Sequence, residues 1–144
     1  MESIEILLVE DNPDHAELTR RALESGNMAN QVHWVKDGQE ALEYLFKKGA
    51  YPDAPRPGLV LLDIKLPKVS GLEVLEKIKK DEALRVIPVI MLTTSDRDEE
   101  ALNCYIYGAN SFITKPVKFS EFSERVKALK LYWLLTNRGP KPKY

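Results

Sequence analysis

Asp63 closes an unbroken apolar run, Leu59-Val60-Leu61-Leu62, and a carboxylate at the end of a buried strand lies where open α/β sheets carry their chemistry. Three other strand-like runs also end on polar groups. Ile4 to Val9 delivers Glu10-Asp11, Val89 to Leu92 delivers Thr93, and Ser111 to Thr114 delivers Lys115-Pro116. Each group alone has a plainer role: a turn-starting Asp63, a capping Glu10-Asp11 pair, a solvated Lys115, a Thr93 hydroxyl bonded to backbone. Gathered in one crevice they have a different meaning. Carboxylates about 4 Å apart repel by on the order of 4 kcal/mol per pair at an effective dielectric near 20. A proton, a cation or a positive side chain must offset this. Mg²⁺ suits an incomplete cage of hard oxygen ligands that leaves room for waters and a phosphoryl group. Lys115 adds a fixed positive charge and Thr93 a hydroxyl. The chemistry this set suits is phosphorylation of a carboxylate, with metal and lysine stabilising the charge on the moving group.

The elements that must hold these groups alternate along the chain. After Glu10-Asp11, Asn12 is an N-cap with Pro13 at the first helical position, and the helix turns Leu18, Ala22 and Leu23 inward before Gly26 stops it. Gln31 to Val35 is a second strand. Asp37-Gly38 opens a second helix with Ala41, Leu42, Leu45 and Phe46 on its buried face, ended by Gly49. Pro52, Pro55 and Pro57 make Ala50 to Gly58 a stiff surface loop within one domain. Leu59 to Asp63 is the third strand. Ser70-Gly71 then opens a third helix, carrying Leu72, Val74, Leu75 and Ile78 and ending near Asp81. Val89 to Leu92 is the fourth strand, and Ser95, Asp96, Asp98 and Glu99 suit the start of a fourth helix with Ala101, Leu102, Tyr105 and Ile106 inward, stopped at Gly108. A fifth strand, Ser111 to Thr114, precedes a last helix from about Phe119 to Leu135. Five such strand–helix pairs imply right-handed crossovers and a doubly wound parallel sheet, an α/β flavodoxin-like (βα)5 fold in the order 2-1-3-4-5. That order sets strands one and three side by side, so Glu10, Asp11 and Asp63 share one site.

Whole-chain totals agree. The 144 residues, 44% of them hydrophobic, fit a single domain with a full core, here 1–135, followed by a tail, 136–144. Lysine plus arginine number 21 against 22 acids, which argues against a nucleic-acid footprint. No run is long enough to span a bilayer and nothing marks export. The single cysteine, Cys104, forms no internal disulfide and fits a reducing, cytoplasmic setting as a small packed helix residue. His15 and His33 have no partner at ligand spacing and are expected to be ordinary surface or strand residues.

Glu10-Asp11, Asp63 with Leu66-Pro67 and Gly71, the Thr93 strand end, Gly108-Ala109 and Lys115-Pro116 together resemble the receiver domain of two-component response regulators, over about Ile4 to Leu135. The Pro-rich loop, Leu92-Thr93-Thr94-Ser95 and the apolar last helix are most similar to single-domain regulators of phytochrome-type histidine kinases. This resemblance implies that Asp63 takes a phosphoryl group from a kinase phosphohistidine. It implies that Asp11, Asp63 and the backbone carbonyl of Lys65 bind Mg²⁺, with Glu10 acting through a water. Lys115 would contact phosphoryl oxygens, the Lys115-Pro116 bond would be cis, Thr93 would swing toward the phosphorylated aspartate, and Phe112 would be the coupled aromatic switch. Lys65 and Ser95 stand where the family tunes acyl-phosphate lifetime, and Phe112 lacks the hydroxyl of a tyrosine.

Little chain follows the last helix, so output is expected through protein contact, as phosphorelay or docking on a downstream target, rather than through an enzymatic or DNA-binding domain. The chain itself is expected not to be an enzyme. The last helix fills one face with Phe119, Phe122, Val126, Leu129 and Trp133, yet Leu131, Tyr132, Leu134 and Leu135 make its end apolar nearly all round. A homodimer through the face of the fourth helix, fifth strand and last helix, or through the last helix itself, would cover it; the tail folding back is the alternative. Three competing functions make distinct demands. A haloacid dehalogenase-like phosphatase wants a second acid where Lys65 stands. An FMN carrier wants a phosphate loop where Glu10-Asp11 would repel phosphate. A phosphorylation-silent scaffold receiver would have no need of the full acidic set and its lysine.

Overall fold

In the computed structural model, which describes residues 4–24, 29–94 and 107–136, five parallel strands form one sheet in the order β2-β1-β3-β4-β5. The strands are β1 (Ile4–Val9), β2 (Ala29–Val35), β3 (Leu59–Asp63), β4 (Val89–Thr93) and β5 (Ser111–Thr114). The helices are α1 (Pro13–Glu24), α2 (Gly38–Leu45), α3 (Gly71–Lys80) and a C-terminal helix, Phe119–Thr136. Every residue of β3 and β4 is buried, as expected of apolar strands covered on both faces.

Alternation along the strands sorts the core into two halves. Leu7, Val9, Val60, Leu62 and Met91 face α2 and α3, where Ala41, Leu45, Val74, Leu75 and Ile78 meet them. Ile6, Leu8, Leu61, Ile90, Leu92 and Ile113 face α1 and the C-terminal helix, packing on Leu23, Phe122 and Val126. Register then decides where the polar ends fall. Val9 pairs with Leu62, Asp63 with Leu92, and Thr93 with Thr114, so the residues that follow each strand emerge along one edge.

Three local expectations need correction. Leu18 is 53% exposed, because α1 turns Ala16, Thr19 and Leu23 inward and residue 18 lies off that stripe. The second helix stops at Leu45, with Phe46 as its cap and Lys47 at φ +57, so Gly49 (φ +58) belongs to the following turn. β2 begins at Ala29, two residues before the apolar signal. The expected fourth helix with Cys104, the Gly26 stop, and the tail lie outside the described residues, as do the side chains at the apolar end of the C-terminal helix.

The connection from β3 to α3 runs between two glycines. A Cβ at Gly71 would overlap the carbonyl oxygen of Asp63, and a Cβ at Gly38 would overlap that of Val69. Ser70 closes the turn with a capping box, its hydroxyl accepting from the Glu73 N–H and the Glu73 carboxylate accepting from the Ser70 N–H. The chain leaving Asp63 is thereby pressed against both helices.

Candidate functional site

The backbone of Glu10 extends the sheet one step beyond β1. Its N–H donates to the Val35 carbonyl (3.1 Å), and its own carbonyl accepts from the Trp34 indole Nε1 (2.7 Å). So held, the side chain is fully buried, Oε2 accepting from the Asn12 N–H at 3.2 Å. Asn12 caps α1, its Oδ1 accepting from the N–H groups of Asp14 (2.9 Å) and His15 (3.2 Å). Asp11 between them is exposed. Asp63 is 5% exposed, and its Oδ1 accepts from the Lys65 N–H at 3.1 Å. Lys115 follows β5; its N–H donates to the Thr93 carbonyl (2.7 Å), and the Lys115-Pro116 bond is cis.

The lysine joins these parts. Its Nζ donates to Glu10 Oε1 and to Asp63 Oδ2, both at 2.8 Å, and stands 3.2 Å from His15 Nδ1. Glu10, Asp11 and Asp63 each bring a carboxylate oxygen within 4.8 Å of the others. They open into a cleft of about 210 Å³, also lined by His15, Lys65, Thr93 and Lys115. The structure therefore brings together Glu10, Asp11, Asp63, Lys65, Thr93 and Lys115, all named from the sequence. Phe112 sits half-buried on β5 against the α2/α3 half of the core. Ser95 lies outside the described residues.

His15 is the residue that sequence reasoning missed. It is half-buried on the first turn of α1 and reaches the central ammonium. The one available signal was its place a single turn beyond Asp11 on a helix capped by Asn12, which aims it back at the strand ends.

Charge balance at the site is incomplete. Burial raises the pKa of Glu10 and repulsion from Asp63 adds to this, against the lowering effect of Lys115. For Lys115 burial opposes the charge, but the hydrogen bonds to Asp63 and Glu10 outweigh it and raise its pKa. Three carboxylates face one ammonium, so negative charge remains on the cleft side. An all-oxygen set with that surplus fits a hard divalent cation, Mg²⁺ before softer metals.

The family model for the response regulator receiver domain matches residues 6–127. The chain belongs to that family. This receiver is 46% identical over 138 residues (95% of the chain, 88% of the relative) to the probable methanogenesis regulatory protein FilR2 of Methanothrix harundinacea. It is 35% identical over 131 residues (91% and 89%) to the response regulator Rcp1 of Synechocystis sp.. Among solved structures, the bacteriophytochrome response regulator AtBRR has a TM-score of 0.82 and 47% identity, covering 92% of this chain and 96% of its own. The phosphorylated cyanobacterial phytochrome response regulator RcpA gives 0.77 and 40%, covering 94% and 96%. The Mn²⁺-bound form of Rcp1 gives 0.75 and 34%, covering 97% and 99%. The receiver is thus close to phytochrome response regulators in sequence and in fold. Among the described residues no helix is long and apolar enough to cross a membrane.

Proposed function

We propose that this receiver accepts a phosphoryl group on Asp63 from the phosphohistidine of a histidine kinase and signals by contact with another protein. One observation carries the reading: a buried Asp63 carboxylate held by the Lys115 ammonium inside an acidic cleft. A carboxylate oxygen of Asp63 attacks phosphorus, the P–N bond to the donor imidazole breaks, and the new acyl phosphate adds negative charge beside Lys115. That ammonium already stands beside Asp63, so meeting the new charge needs only a local exchange of its hydrogen bond from the Asp63 oxygen to a phosphoryl oxygen. Asp11, Asp63 and the Lys65 backbone carbonyl would hold Mg²⁺, Glu10 through a water. The ion supplies charge neutralisation at the phosphoryl oxygens when bound. The Mn²⁺-bound Rcp1 and the phosphorylated RcpA lend support from related chains.

The same reading makes Thr93 the hydroxyl that engages the phosphoryl group and Phe112 the aromatic side chain that responds to it. It makes the chain a signalling module rather than an enzyme. A phytochrome-like kinase is the favoured donor, on the likeness to bacteriophytochrome regulators. Near-neutral charge favours a protein target over nucleic acid, and work in the cytoplasm follows from the expected reducing setting. The apolar end of the C-terminal helix favours a homodimer. Acetyl phosphate with Mg²⁺ tests the core of this: intact-mass measurement should show one added phosphoryl group on the wild type and none on Asp63→Asn. Equal uptake by both proteins would refute it.

A further inference from the structure

We infer that His15 is a positioning residue for phosphoryl transfer, acting through Lys115; the inference rests on Asp63 being the phosphoryl acceptor. A lysine ammonium has three protons to donate. Glu10 Oε1 and Asp63 Oδ2 take two of them at 2.8 Å, and His15 Nδ1, 3.2 Å away, is placed to take the third. Accepting at Nδ1 requires the neutral ring with its proton on Nε2. The lysine is then held on three sides.

These contacts close a ring. Glu10 Oε2 accepts from the Asn12 N–H, Asn12 Oδ1 accepts from the His15 N–H, His15 Nδ1 faces Lys115 Nζ, and Lys115 Nζ donates to Glu10 Oε1. The first turn of α1 is thereby tied to the ammonium as well as to the acid beside it. A lysine stem has four rotatable bonds, and fixing them costs rotamer entropy. When the phosphoryl group arrives, the ammonium must trade its Asp63 oxygen for a phosphoryl oxygen. Glu10 and His15 are the two anchors that hold it through that exchange. The near side of the ring is built from α1, so His15 converts the position of that helix into the position of the charge.

The test compares initial rates of acyl-phosphate formation from acetyl phosphate and Mg²⁺ in the wild type, His15→Leu and His15→Asn. Leucine keeps bulk and removes the acceptor; asparagine restores an acceptor oxygen near the place of Nδ1. His15→Leu should be slower by about tenfold, the size of one hydrogen bond to a charged group, and His15→Asn should recover most of the rate. Nitrogen NMR of the wild type should show an unprotonated Nδ1 on His15 that changes in Lys115→Met; this reading stands even if His15→Leu folds poorly. His15→Leu matching the wild type, asparagine no better than leucine, or a protonated Nδ1 overturns the inference while Asp63 remains the acceptor. A wild type that takes up no phosphoryl group overturns the proposed function, and the role of His15 with it.

Discussion

Asp11→Asn removes one of three carboxylates whose oxygens lie within 4.8 Å of one another, and it does so at the exposed member. Relief of that repulsion should stabilise the metal-free protein by about 1 kcal/mol, while most of the stabilisation gained from Mg²⁺ disappears. Thermal melts with and without Mg²⁺ check both halves. Lys115→Met acts in the opposite direction, leaving Glu10 and Asp63 buried without their cation. The cleft is open to water on the Asp11 side, so the loss at neutral pH should be on the order of 2 kcal/mol, less than for an isolated buried charge. Its pH dependence follows from Glu10. A folded pKa raised above 4.5 means the folded state holds the proton more tightly than the unfolded chain. That contribution is complete below the unfolded value and is lost as pH rises through the folded one. Without Lys115 the folded pKa rises further, so denaturant titrations of Lys115→Met should show stability falling more steeply from pH 4.5 toward neutrality than in the wild type. At this scale the acids and the lysine were legible because each ends an apolar run. His15 was not, because its meaning depends on the ammonium, 100 residues away along the chain, that the fold brings to it.

The link from β3 to α3 separates two kinds of damage. Ser70→Ala removes the cap that accepts from the Glu73 N–H and should cost about 1 kcal/mol of stability while leaving phosphoryl uptake intact. Gly71→Ala places a methyl group against the Asp63 carbonyl, so the strand end itself must shift; it should both destabilise the fold and slow uptake. Denaturation and acetyl phosphate labelling of the two variants read the difference. Caps such as Asn12, Asp37 and Ser70 were legible in the sequence because their side chains bond within three residues. The close approach at Gly71 was not, since its partner is defined only when helix and strand meet. Leu18 shows the same limit: an apolar residue inside a helix does not declare its face until the stripe of Ala16, Thr19 and Leu23 is fixed. Across the Pro-rich loop, Tyr51 donates to Glu40 Oε2 at 2.6 Å, and burial with this carboxylate pushes its pKa up to about 12. The bond's contribution is therefore full below about pH 10 and lost as pH rises toward 12. Ultraviolet titration should find late-ionising tyrosine absorbance, and Glu40→Gln should move the Tyr51 part of it down.

For the whole molecule, the parallel order β2-β1-β3-β4-β5 was readable from alternation and turn length alone, because handedness and crossing rules leave few other arrangements. What that order accomplishes is shared geometry: four strand ends, bringing three carboxylates, a hydroxyl and an ammonium, deliver one site. The apolar end of the C-terminal helix belongs to a larger scale still. Sedimentation should show a dimer that a truncation after Leu131 reduces to monomer; a monomer in every phosphorylation state would remove the homodimer. The most direct test of the account is to trap the acyl phosphate after treatment with acetyl phosphate and Mg²⁺. Borohydride reduces it to an alcohol, and peptide mass mapping locates the product. Homoserine is expected in place of Asp63, absent when Lys115 is replaced by Met or Mg²⁺ is withheld. Reduction at Glu10 or Asp11, or no reduced carboxyl in a protein shown to be folded, would contradict it.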